Sequence, residues 1–111
     1  MTTQDFTIVD AIESDPSPAN AATMRAIYTA IFDAALDNGG TVHASTVREH
    51  LPSYLRNEPR IGAAMSALAR CGAIRPTGEY RPSGNTKSRN ANRPTPVYEV
   101  RDLSEIAGRA A

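Results

Sequence analysis

The run Glu58-Pro59-Arg60-Ile61-Gly62-Ala63-Ala64-Met65-Ser66-Ala67-Leu68-Ala69-Arg70-Cys71-Gly72-Ala73-Ile74 contains the change of period on which the fold turns. Ile61, Met65 and Leu68, with Cys71 as a further candidate, recur at spacings of three and four, the stripe of a helix with one buried face. The cap of this helix is Asn57 or Glu58. Pro59 then falls in the first turn, where a missing N–H costs no intrahelical bond. Gly72 ends the helix, because glycine enters the left-handed region without steric penalty. The opposite face reads Arg60, Ala63, Ala67 and Arg70, with Gly62 and Ser66 near its edges. Two readings of that face stand: its small side chains admit the close approach of something, or alanine is there as the best helix former. After Gly72 the helical spacing stops, and Ala73-Ile74-Arg75 reads as a strand.

Working upstream, Ser45 with Glu49 about one turn later opens a short helix over residues 45–51. Val47 and Leu51 are its apolar pair, and Pro52 closes it. Thr41-Val42 has the β-branched character of a very short strand. A longer helix is expected over residues 18–38, opened by Ser17-Pro18 and stopped by Asn38-Gly39-Gly40. Its stripe is Met24, Ile27, Tyr28, Ile31 and Ala35, widened by Phe32 and Leu36. Residues 1–17 form an acidic, flexible arm with Phe6, Ile8, Val9 and Ile12 as its apolar handles.

Downstream, residues 76–82 form an irregular edge around Gly78, and residues 95–100 return as a strand that pairs with 73–75 in a hairpin. The loop at 82–94 has a single alanine as its only apolar side chain apart from the prolines, and carries Lys87, Arg89 and Arg93 with no acid. Such a composition cannot fold alone, so the loop is expected to be mobile when free and ordered on a polyanion. In the tail, 102–111, the stretch Asp102 to Ala107 supports one short helix. A chain of 111 residues with its apolar residues in periodic blocks accommodates one core. The expected fold class is therefore mostly α with a small β-hairpin, an α+β domain.

The zero net charge conceals a segregation. Residues 1–40 carry six acids against Arg25, whereas residues 56–101 carry nine bases, eight of them arginine, against Glu58, Glu79 and Glu99, a balance of +6. Such a dipolar chain has one side suited to a polyanion, and the planar fork of arginine suits phosphates and guanine edges. Cys71 is the single cysteine, which excludes an internal disulfide, and His43 and His50 alone make no zinc set. With no basic n-region followed by an apolar run, a cytoplasmic protein without membrane contact is expected. Neither a nucleophile–base set, nor HExxH, nor a phosphate-cradling glycine motif is present, so neither catalysis nor a metal or other cofactor is expected. His50, at the end of its helix, is placed to suit the helix dipole as an imidazolium.

Three helices followed by a hairpin with a basic tip follow the order of the winged helix-turn-helix fold. The run 58–74 resembles the recognition helix and next strand of small winged-helix proteins of bacteriophages and their hosts. Tyr80-Arg81-Pro82-Ser83, Ser88-Arg89-Asn90 and Pro96-Val97-Tyr98-Glu99-Val100 look like their wing and return strand, so the likeness covers about residues 40–101. It implies a winged-helix domain at 18–101, with three helices and a two- to three-stranded antiparallel wing. It also implies a double-stranded DNA partner, met as a phage or prophage regulator or as a replication or recombination accessory factor. Helix 58–71 would lie in the major groove, with Asn57 and Arg60 towards the base edges, although Asn57 has capping as its other job. Arg81, Lys87, Arg89 and Arg93 would hold phosphates or enter the minor groove, and Tyr54 and Thr46 would add phosphate hydrogen bonds. The pI of about 6.7 is low for a dedicated DNA-binding module and implies weak monomer affinity or binding as a homodimer. Winged helices also serve as docking modules, in which the acidic arm and first helix would meet a host protein, and as RNA binders.

Overall fold

The spacing of Met24, Ile27, Tyr28 and Ile31 is realised as α1 (Pro18–Asp37) in the structure, a computed structural model that describes residues 18–82 and 93–111. There follow β1 (Thr41–Val42), α2 (Ala44–Glu49), a 3-10 turn (Ser53–Leu55), α3 (Arg60–Arg70), β2 (Ile74–Pro82), β3 (Pro94–Val100) and α4 (Leu103–Ala110). Among the described residues the chain is thus α+β, with four helices and one antiparallel sheet in the order β1-β3-β2. The acidic arm, its capping serine and most of the basic loop lie outside the described residues.

Ile31, Leu68 and Ile74 meet in one core, together with Ile27, Val42, Val47, Ile61 and Ile106. Leu36, expected to widen the α1 stripe, is instead 58 % exposed, and Ala34 takes the buried position. The reason is angular: α1 is covered by α2, α3 and α4 on a single side, and Leu36 falls past the edge of that side. Ala63 and Ala67, read from sequence as the outward face of α3, are buried. The exposed edge of α3 is therefore narrower and consists of Gly62, Ser66 and Arg70. Cys71 also lies outside the core.

Both short helices begin differently from the sequence expectation. The chain leaves β1 extended through His43 (φ −140°, ψ 151°), so α2 starts at Ala44 and His43, not Ser45, is its cap. The Thr46 side chain completes a reciprocal capping box with the His43 backbone. At α3 the cap position is Pro59, which has no side-chain acceptor to offer. Glu58 does that work instead, its carboxylate taking the Arg60 N–H at 3.4 Å, and Asn57 is left exposed.

β2 is one continuous edge strand, not a short strand followed by an irregular edge. Ile74 pairs with Val100 and Pro76 with Tyr98. The register then shifts, and Tyr80 pairs with Pro96 and Pro82 with Pro94. Gly78 (φ 94°) sits in the shift, in a conformation a Cβ would disfavour. The Thr77 hydroxyl donates to the Val97 carbonyl at 2.9 Å and accepts from the Glu79 N–H, closing the bulge. Pro94 and Pro96 are tolerated because β1, paired only at Glu99 and Tyr98, leaves that part of β3 with one neighbour.

The segment read as a tail is an integral helix. Asp102 caps α4 through the Glu105 N–H, and Ile106 is fully buried. Arg109 donates to the Tyr28 hydroxyl of α1 at 3.1 Å, with its guanidinium 5.5 Å from the ring centroid.

Candidate nucleic-acid interface

The exposed edge of α3 and the hairpin flank one groove. Gly62, Met65 and Ser66 line it from the helix, Thr95, Pro96 and Tyr98 from β3, and Ala44 from the start of α2. The missing side chain of Gly62 and the short one of Ser66 keep this groove open. Helix and hairpin therefore present a shared surface.

The sequence-derived site residues are distributed around that surface unevenly. Tyr54, on the 3-10 turn before α3, is 83 % exposed, and Asn57 stands in the next turn, also exposed. Arg60 opens α3, but its Nη1 lies 2.9 Å from Glu58, whose side chain is only 17 % exposed. A reader at this position has to exchange one carboxylate partner for its target. Arg81 projects from β2 and pairs with Glu79 at 2.8 Å. Arg93 is exposed just before β3, and Lys87 and Arg89 lie outside the described residues. Thr46 is a correction. Its hydroxyl donates to the His43 carbonyl at 2.8 Å and accepts from the His43 N–H at 3.2 Å, so it holds the cap of α2 and has no donor left for a phosphate.

The three acids of the basic segment are all engaged by arginine. Besides Glu58 and Glu79, Glu99 lies 3.2 Å from Arg75 and 3.9 Å from Arg101. The pairs at Glu79 and Glu99 are exposed or half-exposed and worth about 0–1 kcal/mol each, so a phosphate can displace them at little cost, whereas the Glu58 carboxylate is largely buried and holds Arg60 more firmly.

One residue of the site was missed from sequence. His43 is buried, and its ring joins three elements. Nδ1 accepts from the Ser45 N–H at 3.1 Å and lies 2.8 Å from the Ser45 hydroxyl. Nε2 therefore carries the proton and faces the Thr95 hydroxyl at 2.9 Å and the Arg81 carbonyl at 3.2 Å. Burial holds this imidazole below its usual pKa, against the pull of those hydrogen bonds and with help from the charges of Arg81 and Arg48. Histidine is not among the preferred caps, and its hairpin partners are 38 and 52 residues away, so no local pattern reveals it.

His50 is its opposite. Nδ1 donates to the Thr46 carbonyl at 2.9 Å and Nε2 to Asp37 at 2.7 Å, closing α2 against the end of α1. The carbonyl bond, the Asp37 carboxylate and the nearby Asp33 raise its pKa. The structural role expected at a helix end thus has a partner the sequence did not indicate.

Among the described residues no three histidine, cysteine or acidic side chains converge as a metal site, and no helix is long and apolar enough to cross a membrane. Compared with models of known families, with curated proteins and with solved structures, the chain shows no significant match.

Proposed function

We propose that this chain is a winged helix-turn-helix protein that binds double-stranded DNA, with α3 directed to the major groove and the basic β2–β3 connection lying against phosphates. The supporting observation is the groove that α3 and β3 share, flanked by a segment carrying nine bases against three acids. Arg60, at the N-terminal end of α3, is the base reader, and exposed Tyr54 and Asn57 on the approach to that helix meet the backbone or base edges. Arg81, Lys87, Arg89 and Arg93 supply the electrostatic contact.

The test is a titration of random and selected duplexes at two salt concentrations. A duplex binder loses affinity steeply with salt, and an RNA binder prefers RNA at fixed salt. The apolar lining of the groove by Met65, Pro96 and Tyr98 favours one second reading, a protein-docking module. That reading takes over if neither nucleic acid binds in a salt-dependent way.

A further inference from the structure

The start of α2 and the distal end of the hairpin are far apart in sequence, yet a single buried side chain bonds to both. We infer that His43 is a positioning residue that fixes the hairpin relative to α2 and α3, and through that angle sets the fit of the proposed DNA surface. That effect on fit rests on the duplex-binding reading.

The geometry assigns the two ring nitrogens separate tasks. Nδ1 fills the place of a capping oxygen at α2. Nε2–H reaches Thr95 on β3 and the Arg81 carbonyl on β2, next to where both strands lead into the basic connection. β1 pairs with the hairpin only at Glu99 and Tyr98, at the far end of β3 from Thr95. The Nε2 bonds therefore tie down the end of the hairpin that the short β1 does not reach. Arg81 is held by its main chain, which leaves the guanidinium of the same residue directed outward, 52 % exposed. Val97, Thr41 and Thr46 line the small cavity beside the ring, so a shorter side chain at position 43 leaves that space unfilled.

Two substitutions divide the tasks. His43→Asn supplies an amide oxygen near the place of Nδ1 and is one of the best N-caps, but it ends short of Thr95 and Arg81. His43→Gln is longer and carries an amide N–H towards the place of Nε2, while capping poorly. Residual dipolar couplings of the free protein report the hairpin angle without any ligand, and duplex titration reports its consequence. In His43→Asn the hairpin couplings are expected to depart from the single orientation they share with the helices, helical circular dichroism to hold, and duplex affinity to fall by about tenfold, the effect of one or two lost hydrogen bonds. His43→Gln is expected to keep the couplings and most of the affinity. Parent-like couplings in His43→Asn, or equal affinity losses in both variants, overturn the inference. If the parent binds no duplex, the DNA reading falls on that result alone, and the couplings still decide whether His43 holds the hairpin.

Discussion

Two histidines seven residues apart in sequence, at opposite ends of α2, respond to protons in opposite directions. His50 presents both ring nitrogens to acceptors, Thr46 and Asp37, so its charged form belongs to the fold. Its folded pKa is raised above 6.5; the stability it contributes is complete below that pH and is lost as pH rises through the folded value. His43 needs an unprotonated Nδ1 to accept from Ser45, and the charged groups facing it, Arg81 from β2 and Arg48 from α2, are both positive. Its folded pKa is depressed below 6.5, so its contribution is present above 6.5 and is lost as pH falls towards the folded value. Urea denaturation from pH 5 to 8 should therefore show stability declining on both sides of a maximum. His50→Gln should flatten the alkaline limb, and His43→Gln the acid limb down to the range where carboxylates such as Asp102 titrate. If either substitution altered the other's limb, the assignment of the two rings would be wrong.

At the level of elements, the helical stripes and the stop at Gly72 were legible because they are local: Ile61, Met65 and Leu68 sit at i, i+4 and i+7, and Gly72 follows with φ 85°. α4 was legible only as one short helix in a tail, since its importance depends on what it covers. Ile106 is fully buried against the same core as Leu68, so Ile106→Ala and Leu68→Ala are both expected to cost about 2–5 kcal/mol in a single cooperative transition. A second, separate transition in Ile106→Ala, measured by chemical denaturation with two probes, would make α4 an independent appendage instead. What could not be read from the sequence shares one physical cause. Whether Ala63 faces in or out depends on what the fold lays over that side of α3, and of the two caps the sequence offered, Asn57 and Glu58, the α-type backbone at Pro59 leaves Glu58 to accept from the Arg60 N–H. Of the candidate site, residue types and charge were legible, but the partners that engage those charges were not.

For the molecule as a whole, the question is how binding energy divides between a nearly uncharged helix edge and a hairpin rich in arginine. If Arg81, Lys87, Arg89 and Arg93 each neutralise a phosphate, Z is about 4 and log K should fall against log salt with a slope of roughly −3.6 from the hairpin alone. Replacing all four by alanine should remove that slope and weaken random and cognate duplexes by similar factors, because phosphates carry no sequence information. Arg60→Ala should do the reverse, costing about 1–3 kcal/mol on the preferred site and little on random DNA. The ion pairs of the structure sharpen this division. Glu79 lies 2.8 Å from Arg81 and Glu58 lies 2.9 Å from Arg60, so each acid competes with DNA for its arginine. Removing the competitor has a defined sign: Glu79→Gln should tighten binding to every duplex and steepen the salt slope. Glu58→Gln should act mainly on the preferred site, through a freed base reader, unless the lost carboxylate also unsettles the first turn of α3. Circular dichroism of Glu58→Gln separates those two outcomes. The measurement is a pair of affinities, cognate and random, at two salt concentrations for each variant. Should Glu79→Gln leave both affinities unchanged while the fourfold hairpin variant binds like its parent, the hairpin is not the electrostatic contact, and the apolar groove beside α3 becomes the surface to test against protein partners.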